Sequence, residues 1–494
     1  MTTLTAPRRA AATLPPRPTP LPAASWEGGD AAPAPPRLVS LFAAAPGLSA
    51  AAFVHAAHGG ERFYWAEPGK GVVLAGAGVA AHLIAAPVLP DDAAERRPVQ
   101  RFDEIEAQAR ALFAGALLQP AAVAPPDAAS LARPRLFGGF AFQDDFVPDN
   151  TWADFSPAEF VLPHYQFAQR DGTAYLTINA LVGPEEDLTK ALDGLAEALA
   201  ARLAATPEAT PAPLGRAALR YPMTRAMWDE MIDRATAAIA AGALDKVVLA
   251  RVCEVRSDAT IDAAAPLAYL DAHYGDSYRF LFEPRPHHAF LGATPELLVS
   301  VCGRAVTTMA LAGSSARGQT QDEDEALAAA LLASTKDRHE HQLVVAAVRA
   351  HLAETADELT APAAPTVLRL RNIQHLLTPI AGRLRRQGEG ALRLARRLHP
   401  TPAMGGVPPE QALAFLRDAE TVPRGWYAAP IGWLDRQQDG VFAVAIRSAV
   451  TQHARAWLYA GAGIVAGSSP EREWDETALK FRPMLGALGA AGGN

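Results

Sequence analysis

The segment Ala460-Gly461-Ala462-Gly463, followed by Ser468-Ser469-Pro470-Glu471-Arg472-Glu473-Trp474-Asp475-Glu476 and closed by Lys480, reads as strand, turn and helix. The apolar run Ala456 to Tyr459 is a strand, the glycines form a turn, and the turn feeds the helix. Ser469 is a good N-cap and Pro470 occupies the first helical position, where proline is tolerated. Glu473, Glu476 and Lys480 then fall at i, i+3 and i+7, so one helix face carries two carboxylates and an ammonium. Acidic residues in a first turn also stabilise the helix dipole with no other purpose, so this segment alone decides nothing. A second segment repeats the chemistry. In Ser334-Thr335-Lys336-Asp337-Arg338-His339-Glu340-His341, Asp337 and Glu340 are again i, i+3 near a helix start, with Leu343-Val344-Val345 behind them. Two helices that each present a carboxylate pair can hold one hard cation through oxygen, and magnesium suits one or two direct carboxylates plus water and substrate. Zinc through His339 and His341 is the weaker reading, because the pair lacks helical i, i+4 spacing and cysteine support.

At 494 residues and 50% hydrophobic, the chain can bury a large core. A net charge of -8 argues against nucleic acid or an anionic membrane surface as partner. No apolar run reaches transmembrane length without interruption, and the arginines at 8 and 9 are followed by no coherent apolar stretch of a signal. Cys253 and Cys302 are too few for a disulfide framework. A cytoplasmic protein, monomeric, is the expectation. Only five basic residues are lysine: Lys70, Lys190, Lys246, Lys336 and Lys480. Only an ammonium readily loses its proton near neutral pH, so these few lysines are candidates for sites that need an amine.

Residues 1–36 are Pro/Ala/Thr-rich without periodicity and are expected to be a disordered tail. Residues 37–204 mix short strands (Gly71 to Leu74, Tyr175 to Ile178) with helices (Phe102 to Leu118, Leu188 to Leu203), and Leu136 to Phe142 is a strand carrying a glycine pair. A linker follows at 205–216, then a region at 217–490 with sharper signals. Thr224 caps a helix ended by Gly242, and the β-branched strand Lys246 to Val255 follows at once. Further strands are expected at Tyr278 to Glu283, Ala289 to Gly292, Leu297 to Val301 and Ala305 to Ala310. Asp322 to Leu352 is helical with a break near Ser334, Arg371 to Pro379 is a loop, and Ala391 to Leu398 and Glu410 to Arg417 are helices. Strands near Ala428 to Leu434, Phe442 to Val450 and Ala456 to Tyr459 complete the pattern. Strands outnumber helices and adjoin through short turns, so the fold class is α+β, with a large, mainly antiparallel sheet core flanked by helices.

The spacing Gly461-x-Gly463-x-x-x-Gly467 misses the dinucleotide fingerprint, and no phosphate-binding loop sequence is present. A glycine turn before a helix still offers backbone N–H groups to an anion such as a carboxylate. Lys246 opens an apolar strand, where an ammonium is costly unless used or paired. A partly desolvated lysine with a depressed pKa can act as a general base, although a strand-edge lysine can also simply oppose aggregation. Glu296, in Thr294-Pro295-Glu296-Leu297 between two strands, is a general acid if buried and otherwise a turn residue. Arg447 follows the apolar run Ala443-Val444-Ala445-Ile446; a guanidinium there calls for a bidentate carboxylate from the protein or from a ligand.

Taken together, eight ordered blocks from Pro222 onward resemble the chorismate-utilising enzymes, and within them the isochorismate synthases. They are Asp245 to Arg251, Thr294-Pro295-Glu296, Leu311-Ala312-Gly313-Ser314, Lys336 to His341, Gln374-His375-Leu376, His399-Pro400-Thr401-Pro402-Ala403, Arg424-Gly425-Trp426-Tyr427, and Gly461-Ala462-Gly463 through Glu476. In the N-terminal half only Phe137-Gly138-Gly139-Phe140 is similar. The resemblance implies one large domain with its site between the sheet and flanking helices, and chorismate as substrate. It implies that Lys246 activates a water for attack at C2 and Glu296 protonates the departing C4 hydroxyl. It further implies that Glu340 and Glu476 bind magnesium with help from Asp337 and Glu473, the metal holding the ring carboxylate. Tyr427, Arg447 and the backbone of Gly461, Ala462 and Gly463 would hold the enolpyruvyl carboxylate, while Ser314, His375 and Lys480 line or support the pocket. Relatives that use ammonia tend to have glutamine at the Lys246 position or Pro-Ile-Lys-Gly-Thr in place of Ala310 to Ser314, so water is the expected nucleophile. That also argues against an aminating subunit dependent on a glutaminase partner. Salicylate synthases, which go on to eliminate pyruvate, share the lysine but usually carry threonine at the Ser314 position, as isochorismate synthases commonly do too. Arg424 to Pro430 resembles synthases that feed salicylate or dihydroxybenzoate siderophores, with respiratory quinone (menaquinone) synthesis as the other destination.

Overall fold

The computed structural model of the chain describes residues 35–69, 71–86, 100–205, 214–386 and 389–490. All of the expected tail except Pro35 and Pro36, most of the linker, and Lys70 lie outside them.

Strand Lys246–Ser257 is favoured by its valines at 247, 248, 252 and 255, and nearly every position is buried. It pairs antiparallel along almost its whole length with Arg455–Ile464. From there the sheet runs outward through Ser448–Gln452, His288–Thr294, Tyr278–Arg285, Arg62–Ala66, Val73–Ala85 and Ala158–Arg170. It then turns back through Arg135–Phe140, Pro430–Asp435, Gly440–Val444, Leu297–Cys302, Ala305–Ala316 and Ile373–Leu384. The 21 strands among the described residues make one hydrogen-bonded network with two arms. Of the pairings among them, only that of Arg37–Ala44 with Leu117–Pro120 is parallel. An aromatic core that includes Phe63, Trp152, Phe282, Phe290 and Trp426 fills the space enclosed by the strands, and further apolar clusters lie under the helices.

The chain crosses between the arms at two neighbouring places. Thr294-Pro295-Glu296 links His288–Thr294 to Leu297–Cys302, and Ala445-Ile446-Arg447 links Gly440–Val444 to Ser448–Gln452. The crossings are tied together, Val444 N donating to Glu296 O at 3.0 Å and Ala293 N to Arg447 O at 3.1 Å. The two acidic helices pack on different arms. Pro470–Ala487 lies on Arg455–Ile464, and Thr335–Ala353 lies on Ala305–Ala316. Ser469 caps its helix as expected, accepting from Arg472 N, and Ser334, where a break was expected, caps the other, accepting from Asp337 N.

Four expectations are corrected. The glycines 461 and 463 sit in a strand and not a turn, because pairing with Lys246–Ser257 continues to Ile464 opposite Val247. The loop expected at Arg371 to Pro379 is mostly the strand Ile373–Leu384, held between Ala305–Ala316 and Thr366–Arg369. The strand expected at Phe442 to Val450 is broken at Arg447, whose φ of 52° no extended strand accommodates. The helix read over Phe102 to Leu118 is Gln100–Phe113, stopped before Gly115 (φ 69°). Among the described residues no helix is long and apolar enough to cross a membrane.

Candidate active site

A cavity opens where the two crossings and the two acidic helices meet. Of the residues singled out from the sequence, Glu296, Ser314, Glu340, His375, Tyr427, Arg447, Gly461, Gly463, Glu476 and Lys480 line it. Lys246, Asp337 and Glu473 stand behind this wall, each joined to the acidic cluster described next. Ala462 does not line the cavity: it faces the other side of its strand and is fully buried.

Three glutamates in this region each meet a lysine. Lys246 Nζ donates to Glu340 Oε1 at 2.8 Å, Lys336 Nζ to Glu473 Oε1 at 3.0 Å, and Lys480 Nζ to Glu476 Oε1 at 2.5 Å. Lys480 also donates to Gly461 O at 2.8 Å, which pins the helix to the strand beneath. Three of the chain's five lysines are therefore spent on one acidic cluster. Lys336 belongs here although only lysine scarcity and its place beside Asp337 pointed to it. Burial and the neighbouring Glu476 push Glu473 up. Burial would push Glu476 up too, but Lys480 outweighs it and holds that carboxyl down. Burial, then Glu340 and Glu476, raise Asp337. Four carboxylates thus feel one another with three ammoniums to balance them. His339 is exposed whereas His341 is buried with Nε2 2.7 Å from Thr378 Oγ1, so the two imidazoles do not converge on a zinc.

Glu296 is 3% exposed. Burial pushes its carboxyl up to about 7, against the opposing pull of Lys246, Lys480 and Arg447. It therefore keeps a proton at a pH where an ordinary glutamate has lost it. Arg447 is 5% exposed and makes no ion pair among the described residues. Its Nη2 lies 3.0 Å from His375 Nε2. A guanidinium can only donate, so His375 accepts at Nε2 and carries its proton on Nδ1, which faces Ser314 Oγ at 3.0 Å and Gly313 O at 3.2 Å. Burial first, then Arg447 and Lys480, bring His375 down to about 3, so it is neutral. The left-handed φ of 52° at Arg447 and of 62° at Ala428 is strain held by mutual hydrogen bonds, Ala428 N to Ala445 O and Ala445 N to Ala429 O. Tyr427 stacks on Tyr459 with ring centroids 5.2 Å apart, and Trp152 fixes the Tyr459 hydroxyl at 3.1 Å; neither supporting ring carried a sequence signal.

Space is tight at Gly461 and closed to a side chain at Gly463. A Cβ on Gly461 would lie 3.1 Å from the Tyr427 hydroxyl, and one on Gly463 would collide with Glu340 Oε1 and lie 3.2 Å from Lys246 Cε.

The sequence profile of the chorismate binding enzymes matches residues 29–489. The chain belongs to the chorismate-binding enzyme family. Among its members, the isochorismate synthase MenF of Bacillus subtilis is 34% identical over 87% of this chain and 88% of its own length. The salicylate biosynthesis isochorismate synthase of Pseudomonas aeruginosa is 39% identical over 80% of each. The structure of the menaquinone-specific isochorismate synthase MenF from Escherichia coli superposes with a TM-score of 0.73 at 27% identity, covering 92% of this chain and 96% of that one. The expected α+β architecture is thus that of the chorismate-binding enzymes, and the likeness extends through the N-terminal half, where the sequence showed only one matching motif.

Proposed function

We propose that this protein is an isochorismate synthase, converting chorismate to isochorismate by attack of water at C2 and loss of the C4 hydroxyl, with magnesium as cofactor. The observation that carries the reading is a carboxyl protonated near neutral pH on the wall of one cavity, with a buried lysine bonded to Glu340 of the same wall. Lys246, as the free amine, takes the proton of the attacking water, and Glu296 gives one to the departing hydroxyl. Arg447, with no carboxylate partner among the described residues, and the Tyr427 hydroxyl receive a substrate carboxylate. Neutral His375 holds Arg447 through an accepted hydrogen bond, so the guanidinium keeps its remaining donors for substrate. Among side chains this buried such fixed donors act more strongly than in water.

The donor chemistry fits a hard divalent cation: four carboxylates gathered from two helices, without sulfur. Among the described residues no three acidic, histidine or cysteine side chains converge on one point as they stand, each glutamate being turned to its lysine. Glu340 and Glu476 would hold the ion, with Glu473 and Asp337 assisting directly or through water. Magnesium would supply positive charge for the ring carboxylate of the substrate.

Lysine at 246 and alanine at 312 support water over ammonia as nucleophile. The segment Arg424 to Pro430 supports delivery of the product to salicylate or dihydroxybenzoate siderophore synthesis, and the relative from Pseudomonas aeruginosa supports the salicylate destination. Chromatography of products from purified protein with chorismate and magnesium, with and without ammonium and with an EDTA control, tests the proposal. Isochorismate alone is expected, abolished by EDTA. Salicylate with pyruvate, an aminated product, or no product would contradict it.

A further inference from the structure

We infer that Arg251 is a positioning residue that sets the rotation of helix Pro470–Ala487 about its axis, and so aims Glu473 and Glu476. The inference rests on the proposed role of those carboxylates toward a divalent cation. Arg251 lies an odd number of positions after Lys246 on the same strand, so it projects from the opposite face, away from the cavity. Its guanidinium is nonetheless buried and grips the acidic helix. Nε donates to Thr477 Oγ1 at 2.7 Å and Nη2 to the Trp474 carbonyl at 3.2 Å. Thr477 Oγ1 in turn donates to the same carbonyl at 2.8 Å, closing a ring of hydrogen bonds on one helical turn. The guanidinium carbon also lies 3.6 Å from the Trp474 ring centroid. Trp474 and Thr477 are the immediate successors of Glu473 and Glu476, so the grip falls on the turn that carries both carboxylates.

Packing alone does not account for an arginine here. It makes no ion pair among the described residues, and its Nη1 is buried without a hydrogen-bond partner. Burying such a charge is unfavourable, and an apolar side chain would fill the space at lower cost. What the guanidinium adds is a rigid fork of directed donors. The leverage is large. Side-chain ends lie about 5–6 Å from a helix axis, so a roll of about 20° moves a carboxylate by roughly 2 Å. Metal–ligand distances tolerate about 0.2 Å.

The test is magnesium affinity by titration calorimetry without chorismate, alongside kcat and KM, on the full chain and three variants. Thr477→Val keeps the shape and removes the hydroxyl, Thr477→Ser keeps the hydroxyl, and Arg251→Lys keeps the charge and loses the fork. Magnesium binding is expected to weaken about tenfold or more in Thr477→Val and Arg251→Lys, and to match the unsubstituted protein in Thr477→Ser. Unchanged magnesium affinity in both weakened variants would overturn the inference. If Arg251→Lys does not fold, Thr477→Val decides alone. Absence of magnesium binding to the unsubstituted protein would instead remove the cation reading, and the inference with it.

Discussion

Lys246 and Glu296 are chemically opposite groups whose behaviour follows from what surrounds them. The Lys246 ammonium is buried against Glu340, so removing it also strands a carboxylate; Lys246→Gln, which keeps a donor for Glu340, separates chemistry from folding better than alanine. We expect Lys246→Gln to keep its cooperative melt and to lose about 10²–10⁴-fold in turnover, measured by steady-state kinetics. Glu296 makes a pH prediction. Its proton must be present for it to act as an acid, so kcat/KM should fall as pH rises through about 7. The linkage has the same sign. Between the ordinary value of 4.5 and about 7 the folded state binds the proton that the unfolded state releases, so this group's contribution to stability declines as pH rises through that window. Denaturant titrations across the window should show a slope that Glu296→Gln lacks. The sequence disclosed these two residues as chemistry but not their partners, because Glu340 reaches Lys246 only through tertiary packing.

Helix starts were legible, since a cap depends on residues adjacent in sequence: Ser469 and Thr224 accept the backbone bonds their positions implied, and the break read near Ser334 is where the next helix starts. Strands that build the site were harder. Ile373–Leu384 places Gln374 and His375 where an apolar alternation would otherwise announce a strand, and Pro379 adds a turn signal. In Arg455–Ile464 the glycines imitate a turn, yet they are there because Glu340, Lys246 and Tyr427 fill the space of a side chain. Function had overwritten the local pattern in both. Gly463→Ala is accordingly expected to displace Glu340 and the Lys246 pair, lowering turnover at least about tenfold and costing about 1–3 kcal/mol of stability. Kinetics with chemical denaturation checks both numbers.

Across the whole molecule the sequence boundary near residue 217 does not mark a break in the sheet. Arg135–Phe140 pairs with Pro430–Asp435, and Arg62–Ala66 with Tyr278–Arg285. Arg62 is wholly buried and donates to Glu283 at 2.5 Å and Asp262 at 2.8 Å. A fragment limited to 217–490 would expose strand edges and strand these carboxylates, so it should aggregate or remain unfolded by circular dichroism, while the full chain melts in one transition. The class and the antiparallel sheet were readable from strand number and short connections. Its two arms and the crossings that carry Glu296 and Arg447 were not, because pairing between distant strands leaves no local trace. Those crossings bring acid and guanidinium to one cavity beside the strand that carries Lys246, and the claim that depends on them is that solvent water becomes the new hydroxyl. Turnover of chorismate in ¹⁸O-enriched water, read by mass spectrometry of the product, tests it directly. The account predicts isochorismate with one ¹⁸O at C2; isochorismate formed without label would contradict it.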